Sequence, residues 1–232
     1  MMKNKNLRLD ERLSMCAKLV RPGKRVVDVG TDHAYLAIWL ALNEVASRVV
    51  ATDLREGPLL NAKQNIVKYG VDARVETRLS DGLDAISAEE VEDVVLAGMG
   101  GELIIKIIAR VPWLRDGEKH LILQPMSAEQ ELREFLAQES FTVVDEQAVT
   151  CYGKVYTVMS VFFYGGAVPT DELYPYIGRL GENLSEANRL YITREIRDLK
   201  NKQKGYMATV QADRAKATQG IIDKLEFLIG GE

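Results

Sequence analysis

The sequence has few of the residues that build disulfide frameworks or metal centres. Its 232 residues include two cysteines and two histidines. Cys16 and Cys151 lack metal-ligand spacing, and His33 and His120 are too few to complete a zinc site, so we expect no metal. Two isolated thiols predict buried or half-buried free cysteines in a reducing compartment, and we therefore expect a cytoplasmic protein.

Long apolar runs are also missing. No run reaches membrane-spanning length, and the first six residues are polar, without the apolar core of a secretion signal. Hydrophobic residues make up 47% of the chain and charged residues 28%, which indicates a soluble globular protein with no membrane contact. At this length we expect one full α/β domain with a small addition, acting as a monomer, although the sequence leaves an oligomer open.

The net charge of −4 is unevenly distributed. Residues 1–25 contain eight Lys/Arg and two acids, and residues 189–224 contain nine Lys/Arg and four acids, whereas residues 26–188 are acidic overall. Basic ends on an acidic body could hold a polyanion at two places. A lysine-rich solvated helix face would produce the same pattern.

Strand and helix patterns alternate over most of the chain. Strands are predicted at residues 25–29, 48–52, 73–78, 93–97 and 120–123, and helices at 7–20, 34–43, 57–69, 103–110 and 128–138. Two further strands, 141–149 and 155–164, flank a turn at Gly153 and predict an antiparallel pair. Regular strand–helix alternation implies a parallel sheet with helices on both faces.

The first strand runs into a turn of the nucleotide-binding type that has one glycine too few. Gly30 allows the tight turn, but a dinucleotide fingerprint needs a second glycine at position 32, where the backbone must approach a pyrophosphate. Asp32 stands there. Its carboxylate would repel a diphosphate and attract a sulfonium or an amino group. The turn therefore predicts a site for S-adenosyl-L-methionine rather than NAD.

Polar or glycine-rich segments follow the first four strands in order. Because the carboxyl ends of parallel strands meet at one edge of the sheet, we expect these segments to converge on the cofactor. Asp28 would organise the turn and the methionine amino group, Asp53 would accept from the ribose hydroxyls, and Asp81 from the adenine amino group. The predicted cofactor-binding residues are Asp28, Gly30, Thr31, Asp32, His33, Ala34, Asp53, Leu54, Asp81, Gly82, Ala97, Gly98 and Met99. Each segment alone could be an ordinary turn or helix start, but together they favour a cofactor site.

The pattern changes after Gly165-Gly166 and Pro169. Residues 192–210 carry apolar side chains at heptad spacing with one polar interruption, and a second apolar helical run covers 221–229. We predict a Rossmann-like α/β domain over residues 1–166, opened by a basic helix, and a C-terminal helical hairpin or coiled coil over 167–232. A mostly parallel seven-stranded sheet closed by an antiparallel hairpin is typical of class I S-adenosylmethionine methyltransferases.

Four segments resemble the TrmK family of bacterial tRNA adenine-N1 methyltransferases. They are residues 26–36, Glu56-Gly57-Pro58, residues 97–101 and residues 121–125. Arg12-Leu13 in the first helix is similar to the family's Lys-Arg-Leu. The resemblance covers essentially the whole chain and implies methylation of N1 of adenine 22 in tRNA, with S-adenosylmethionine as cofactor. The chain departs from the family pattern at Met126, where Asn is usual, and at Asp53, where Glu is frequent.

The implied reaction needs placement more than proton transfer. Adenine N1 has its own lone pair, so no base must act before attack on the methyl group. The enzyme must align the two groups and stabilise the positive charge that develops on the ring. Asp32 is the predicted stabiliser, accepting from the N6 amino group. His33 is a second catalytic candidate, although a structural hydrogen bond within the turn would account for it equally well.

The target base is normally hidden inside folded tRNA, so we expect the enzyme to extrude it. Contacts from the two basic ends of the chain to the tRNA phosphates would offset the free-energy cost of extruding the base. The predicted tRNA contacts are Arg8, Arg12, Tyr35, Gly100, Gln124, Arg194, Lys200 and Lys204. Two other readings stay open: a methyltransferase with another RNA or a small molecule as acceptor, and a module that binds the cofactor without catalysis.

Overall fold

The structure, a computed structural model, describes residues 7–209 and 211–230. Its centre is one seven-stranded sheet with the order β3-β2-β1-β4-β5-β7-β6. The first five strands are parallel, and β7 runs antiparallel to β5 and β6. The strands are β1 Arg25–Val29, β2 Arg48–Asp53, β3 Val75–Leu79, β4 Asp93–Met99, β5 His120–Pro125, β6 Phe141–Cys151 and β7 Lys154–Phe163. This topology confirms the predicted Rossmann-like methyltransferase fold with its closing hairpin.

Helices cover both faces of the sheet and then form a C-terminal pair. The helices are α1 Glu11–Leu19, α2 Tyr35–Leu42, α3 Glu56–Tyr69, α4 Gly101–Ala109, α5 Glu129–Gln138, α6 Tyr174–Ile177, α7 Glu186–Ala208 and α8 Ala212–Gly230. All except α6 were predicted; the ends of most differ by a few residues, but α7 begins six residues and α8 nine residues before the predicted runs. The first helix begins later than predicted because the Asp10 carboxylate accepts from the Leu13 amide at 2.9 Å and caps it there.

The residues of β1 show how the sheet separates two cores. Successive side chains of a strand point to opposite faces. Val27 and Val29 therefore pack beneath α4 and α5, while Val26 packs with the buried faces of α1 and α2. Asp28 has the same parity as Val26 and is buried on the α1 side. Burial on both faces explains why the parallel strands are continuously apolar.

The helices after residue 166 are attached to the sheet through buried polar contacts. Asn188, near the start of α7, accepts from the Ala148 amide of β6 at 2.9 Å and donates to the carbonyl of Asn183 at 2.6 Å. Arg133 of α5 donates to Glu146 of β6 at 2.7 Å and to the Tyr191 hydroxyl of α7 at 3.0 Å. The division of the chain at residues 166 and 167 stays a prediction, since this interface joins the two parts.

The two long C-terminal helices confirm the predicted helical hairpin. Apolar side chains from both helices form its core: Ile192, Ile196, Leu199, Ile222 and Leu225. The polar interruption of the heptad pattern, Gln203, donates to the Gln219 side chain of α8 at 2.6 Å. The last position of that pattern, Val210, lies outside the described residues.

Both cysteines are buried and free, as predicted. Across residues 7–209 and 211–230, no helix combines the length and apolar character needed to cross a membrane. The same part of the chain contains no cluster of three or more His, Cys, Asp or Glu side chains suited to holding a metal ion.

Candidate active site at the carboxyl ends of the strands

The turn after β1 is fixed by the neighbouring strand. The amides of Gly30 and Thr31 both donate to the Thr52 carbonyl of β2 at 2.8 Å. Gly30 has φ +77°, a conformation that suits glycine, and a Cβ atom there would lie 2.6 Å from Cε of Met99 at the end of β4. The turn thus brings the ends of three strands together and leaves its backbone open to close approach by a ligand.

Asp28 is a buried carboxyl group with an altered acidity. Its burial raises the pKa to about 6, while a hydrogen bond from Thr31 opposes the change. The Thr31 hydroxyl oxygen also accepts from the Ala34 amide at 3.1 Å, which fixes the turn. An ionised carboxylate is costly at such a site, so a ligand that brings a positive charge gains an additional attraction there.

Asp32 and His33 form an exposed edge of the same turn. Nε2 of His33 lies 3.3 Å from Oδ2 of Asp32, and the side chains are 43% and 67% exposed. The His33 ring stacks on Tyr35 at a centroid distance of 5.3 Å, and the His33 carbonyl accepts from Asn65 at 3.1 Å. The approach of His33 to Asp32 lies within the turn, and both side chains remain accessible to a ligand.

The Asp53 carboxylate is held in place by the backbone that follows β2. It is 8% exposed, and its Oδ1 accepts from the Arg55 amide at 2.9 Å. Leu54, between them, is an exposed apolar side chain. An oriented carboxylate beside the glycine turn is suited to accepting hydrogen bonds from a pair of hydroxyl groups.

Asp81, after β3, has a partner that the sequence did not reveal. The Arg110 guanidinium at the end of α4 contacts both carboxylate oxygens, at 3.0 Å and 3.2 Å, and holds the pKa of Asp81 below its usual range. The predicted hydrogen bond from an adenine amino group therefore requires Asp81 to release or share one of these contacts. Gly82, next in the turn, has φ +59°.

Gln124 connects the loop after β4 to α1. Its buried Oε1 accepts from the Gly98 amide at 3.1 Å and from Arg12 at 3.2 Å, and its Nε2 donates to the Pro125 carbonyl at 2.7 Å. The side chain is 0% exposed. The structure thus corrects the predicted tRNA contact of Gln124 to an internal role, in which its amide positions the loop.

Arg12 is also corrected by its surroundings. Its guanidinium pairs with Asp10 at 2.7 Å, lies 5.4 Å from the Tyr156 ring centre and is only 18% exposed. Because these contacts and the bond to Gln124 use most of its donors, Arg12 fixes the first helix against the strand ends. A direct grip on the tRNA backbone is not the role that this geometry favours.

Two predicted phosphate contacts in α7 are engaged in ion pairs. Arg194 pairs with Glu129 at 3.2 Å and with Glu195 at 2.8 Å, and its guanidinium lies 4.3 Å from the Tyr191 ring centre. Lys200 pairs with Glu226 of α8 at 2.6 Å. The Arg194 contacts attach α7 to α5, whereas the Lys200 pair is exposed and leaves Lys200 accessible. The other predicted contacts of the basic ends, Arg8 and Lys204, are exposed.

The glycines after β4 allow two segments to approach closely. The Gly101 amide donates to the Ser127 carbonyl at 2.8 Å, and a Cβ atom at Gly101 would overlap the Ala128 carbonyl oxygen. At Gly100 a Cβ atom would lie 3.2 Å from Oγ of Ser127. The glycine-rich sequence therefore serves packing between the loops after β4 and β5.

Replacing Gly101 with alanine is expected to lower the free energy of unfolding by about 1–3 kcal/mol, because the methyl group meets backbone atoms that cannot rotate away. Urea unfolding measures the change. Gly57→Ala is the matched control, since no atom lies within 4 Å of a Cβ atom at that helical position. A Gly101 variant as stable as the Gly57 variant would contradict the expectation.

Comparison with known proteins agrees with this geometry. Residues 9–159 match the family described as a methyltransferase domain. The chain is also 31% identical over 228 residues to the tRNA (adenine(22)-N(1))-methyltransferase of Bacillus subtilis, with 96% of each chain covered. The fold and the site therefore define a Rossmann-like methyltransferase.

Solved structures extend the similarity to the C-terminal helices. The crystal structure of the Bacillus subtilis tRNA methyltransferase TrmK superposes with a TM-score of 0.83 at 27% identity, covering 97% of this chain and 100% of that one. Sp1610 of Streptococcus pneumoniae, in complex with S-adenosyl-L-methionine, superposes with a TM-score of 0.79 at 29% identity, covering 91% and 98%. The chain belongs to the tRNA (adenine(22)-N1)-methyltransferase family, which confirms the resemblance seen in the sequence.

Proposed function

We propose that this protein transfers the methyl group of S-adenosyl-L-methionine to N1 of adenine 22 in tRNA. The observation that carries the proposal is the convergence of Asp28, Asp32 and Asp53 around the Gly30 turn, in a chain of this family. Carboxylates in this arrangement suit a ligand with an ammonium group, a sulfonium and a ribose.

The cofactor is assigned to the edge of the sheet where β1, β2 and β3 end. Asp28 receives the ammonium group, and the backbone at Gly30 allows the ligand to approach. Asp53 accepts from the ribose hydroxyls. Asp81 contacts the adenine amino group while it shares its carboxylate with Arg110. The bound cofactor supplies an activated methyl group, and these residues orient it.

The acceptor base is assigned to the exposed edge of the turn. We propose that adenine leaves its stack in the tRNA and enters the site beside Asp32, whose carboxylate accepts from N6 and stabilises the positive charge on the ring. His33 holds Asp32 in place through the 3.3 Å contact. Tyr35, with 41% exposure, offers a face for stacking. When bound, the cofactor would supply its methyl group to N1, with the carbon–sulfur bond breaking as the N1–carbon bond forms.

A methyl-transfer assay tests the reaction and its target together. Labelled S-adenosyl-L-methionine is offered with unmodified tRNA carrying adenine at position 22 and with the same tRNA carrying guanine there. We expect label in the first tRNA only, mapping to N1 of that base. Label in both would move the target to another nucleotide. Label in neither, with normal cofactor binding, would favour another acceptor or a non-catalytic binding module.

Cofactor affinity is expected to rise with pH as Asp28 ionises. Its pKa of about 6 lies above the ordinary value, so the carboxyl group is mostly protonated at pH 5 and mostly ionised at pH 7. The cofactor's ammonium group stays charged over this range. If binding requires the ionised carboxylate, affinity measured by calorimetry rises about tenfold from pH 5 to pH 7.

The Asp28→Asn variant is the control for that titration. The amide has nearly the same shape and no ionisable proton. We expect the variant to bind the cofactor more weakly at pH 7 and to lose most of the pH dependence. A variant that kept the wild-type pH profile would show that another group titrates, and Asp28 would not be the partner of the ammonium group.

A further inference from the structure

Two clefts flank the segment Met126-Ser127 that follows β5. One lies between α4, α5 and α7, has a volume of about 610 Å³ and includes Gly100 and Ser127 in its wall. The other lies between the β6–β7 turn and α7, has a volume of about 630 Å³ and includes Met126 in its wall. Each cleft is large enough for a nucleotide-sized ligand, and each borders the loops around the acceptor side of the site.

The charges of the two clefts are opposite. Four carboxylates line the first, together with Lys106: Glu102, Glu129, Glu131 and Glu195. Among its described lining residues, the second cleft has the cations Lys154, Arg194 and Arg197 and no carboxylate. A phosphate chain in the first cleft would meet strong repulsion, whereas the second would attract it.

The basic cleft is connected to the loop after β4 through Arg12. Its Nη1 lies 3.1 Å from Sδ of Met126 and 3.2 Å from Oε1 of Gln124, which holds the Gly98 amide. The Tyr156 ring, below the Arg12 guanidinium, also lines this cleft. Direct side-chain contacts therefore link the basic cleft to the loop after β4, at the same edge of the sheet as the candidate site.

The cations that face this cleft differ in how freely they can change partner. Arg194 is held by two carboxylates and is 23% exposed. Arg197 is 69% exposed, and its pair with Asp198 is at the surface, where such pairs contribute little. Lys154, the first residue of β7, is exposed. Lys154 and Arg197 are thus the residues suited to binding phosphates.

The tip of the β6–β7 hairpin carries an aromatic residue, Tyr152, next in sequence to Gly153 and Lys154 of the cleft wall. Tyr152 has φ +49° and Gly153 has φ +73°, the left-handed conformations of a two-residue hairpin turn. This turn projects the Tyr152 side chain outward, where it is 88% exposed. An exposed ring next to a basic groove is the arrangement that stacks on unpaired bases in single-stranded RNA.

We propose that the cleft between the β6–β7 turn and α7 binds the unpaired stretch of tRNA that flanks the target adenine. Lys154 and Arg197 contact its phosphates, and Tyr152 stacks on one of its bases. This inference rests on the proposed function and adds to it the side from which the RNA reaches the site. It replaces Arg12 and Arg194, whose guanidinium groups are largely enclosed by internal contacts.

Charge reversal in one cleft at a time tests this assignment. Lys154→Glu and Arg197→Glu are each expected to weaken tRNA binding about tenfold and to lower the slope of log affinity against log salt by about 1. Lys106→Glu is the matched control, because it makes the same charge change in the acidic cleft. We expect the control to stay within twofold of wild type. Cofactor affinity, measured in parallel, should stay unchanged in all three variants.

Tyr152 provides a second, uncharged test. Tyr152→Ala is expected to weaken tRNA binding about tenfold, whereas Tyr152→Phe, which keeps the ring, should stay within twofold of wild type. Tyr152 is 88% exposed, so the melting temperatures of both variants should match that of the wild type. Equal binding by the alanine and phenylalanine variants would overturn the stacking role.

The outcomes distinguish a failure of the cleft assignment from a failure of the proposed methyl transfer. A wild-type protein that transfers no methyl group to tRNA overturns both. A wild-type protein that methylates tRNA, with Lys154→Glu and Arg197→Glu binding as well as Lys106→Glu, overturns only the cleft assignment. A loss confined to Lys106→Glu would place the RNA in the acidic cleft and overturn the assignment as well.

Discussion

Arg133→Ala is expected to lower the free energy of unfolding by about 3–5 kcal/mol, one of the largest effects of any single change in this chain. Arg133 and Glu146 are both completely buried and form an ion pair of 2.7 Å. The same guanidinium donates to the Tyr191 hydroxyl of α7 at 3.0 Å. Removing it leaves the Glu146 carboxylate in the interior without its cation, and a buried charge without a partner is strongly destabilising.

A double variant separates the charge from the packing. Arg133→Met with Glu146→Leu removes both charges and keeps much of the volume, so we expect it to be more stable than Arg133→Ala. Urea unfolding of wild type, Arg133→Met, Glu146→Leu and the double variant completes the thermodynamic cycle. If the double variant lost as much stability as the two single variants together, the charge would not be the cause.

The strands and their order along the chain could be predicted because the sequence patterns that mark them are local. The predicted β1 has the observed bounds, since a short apolar run ends at a glycine turn. The short helix α6 was missed. It has only four residues, and Arg133 donates to the carbonyls of Pro175 and Tyr176 at 3.0 Å. A helix fixed by contacts from a distant part of the chain has no periodicity of its own to detect.

The same distinction between local signals and long-range contacts applies to the candidate site. Asp28, Gly30 and Asp53 could be named because strand ends and turn residues mark them. The partner of Asp81 could not, because Arg110 is 29 residues away and reaches it only in the folded chain. Counting charges also treated Arg194 as an available cation, although Glu129, 65 residues away, pairs with it. Sequence patterns locate side chains, whereas pairing depends on the tertiary structure.

Asp32→Asn is expected to lower the rate of methyl transfer about 10²- to 10³-fold when the site is saturated with cofactor. The amide keeps the shape and an acceptor oxygen, but it loses the negative charge that opposes the positive charge on the ring. The side chain is 67% exposed, so the change should leave the fold intact. Single-turnover rates with saturating cofactor and tRNA measure the chemical step directly.

Two control variants are compared with Asp32→Asn in the same rate measurement. Asp116→Asn removes an exposed carboxylate before β5, at the opposite end of the strands, and should keep the wild-type rate. His33→Gln removes the imidazole that contacts Asp32 and should cause a smaller loss than Asp32→Asn, because a positioning residue acts only through its neighbour. Near-normal turnover by Asp32→Asn with normal cofactor binding would contradict the role of the carboxylate. The charge on the ring would then have to be stabilised by other groups, such as the backbone dipoles of the loop after β4, whose Met99 side chain packs against the Gly30 turn.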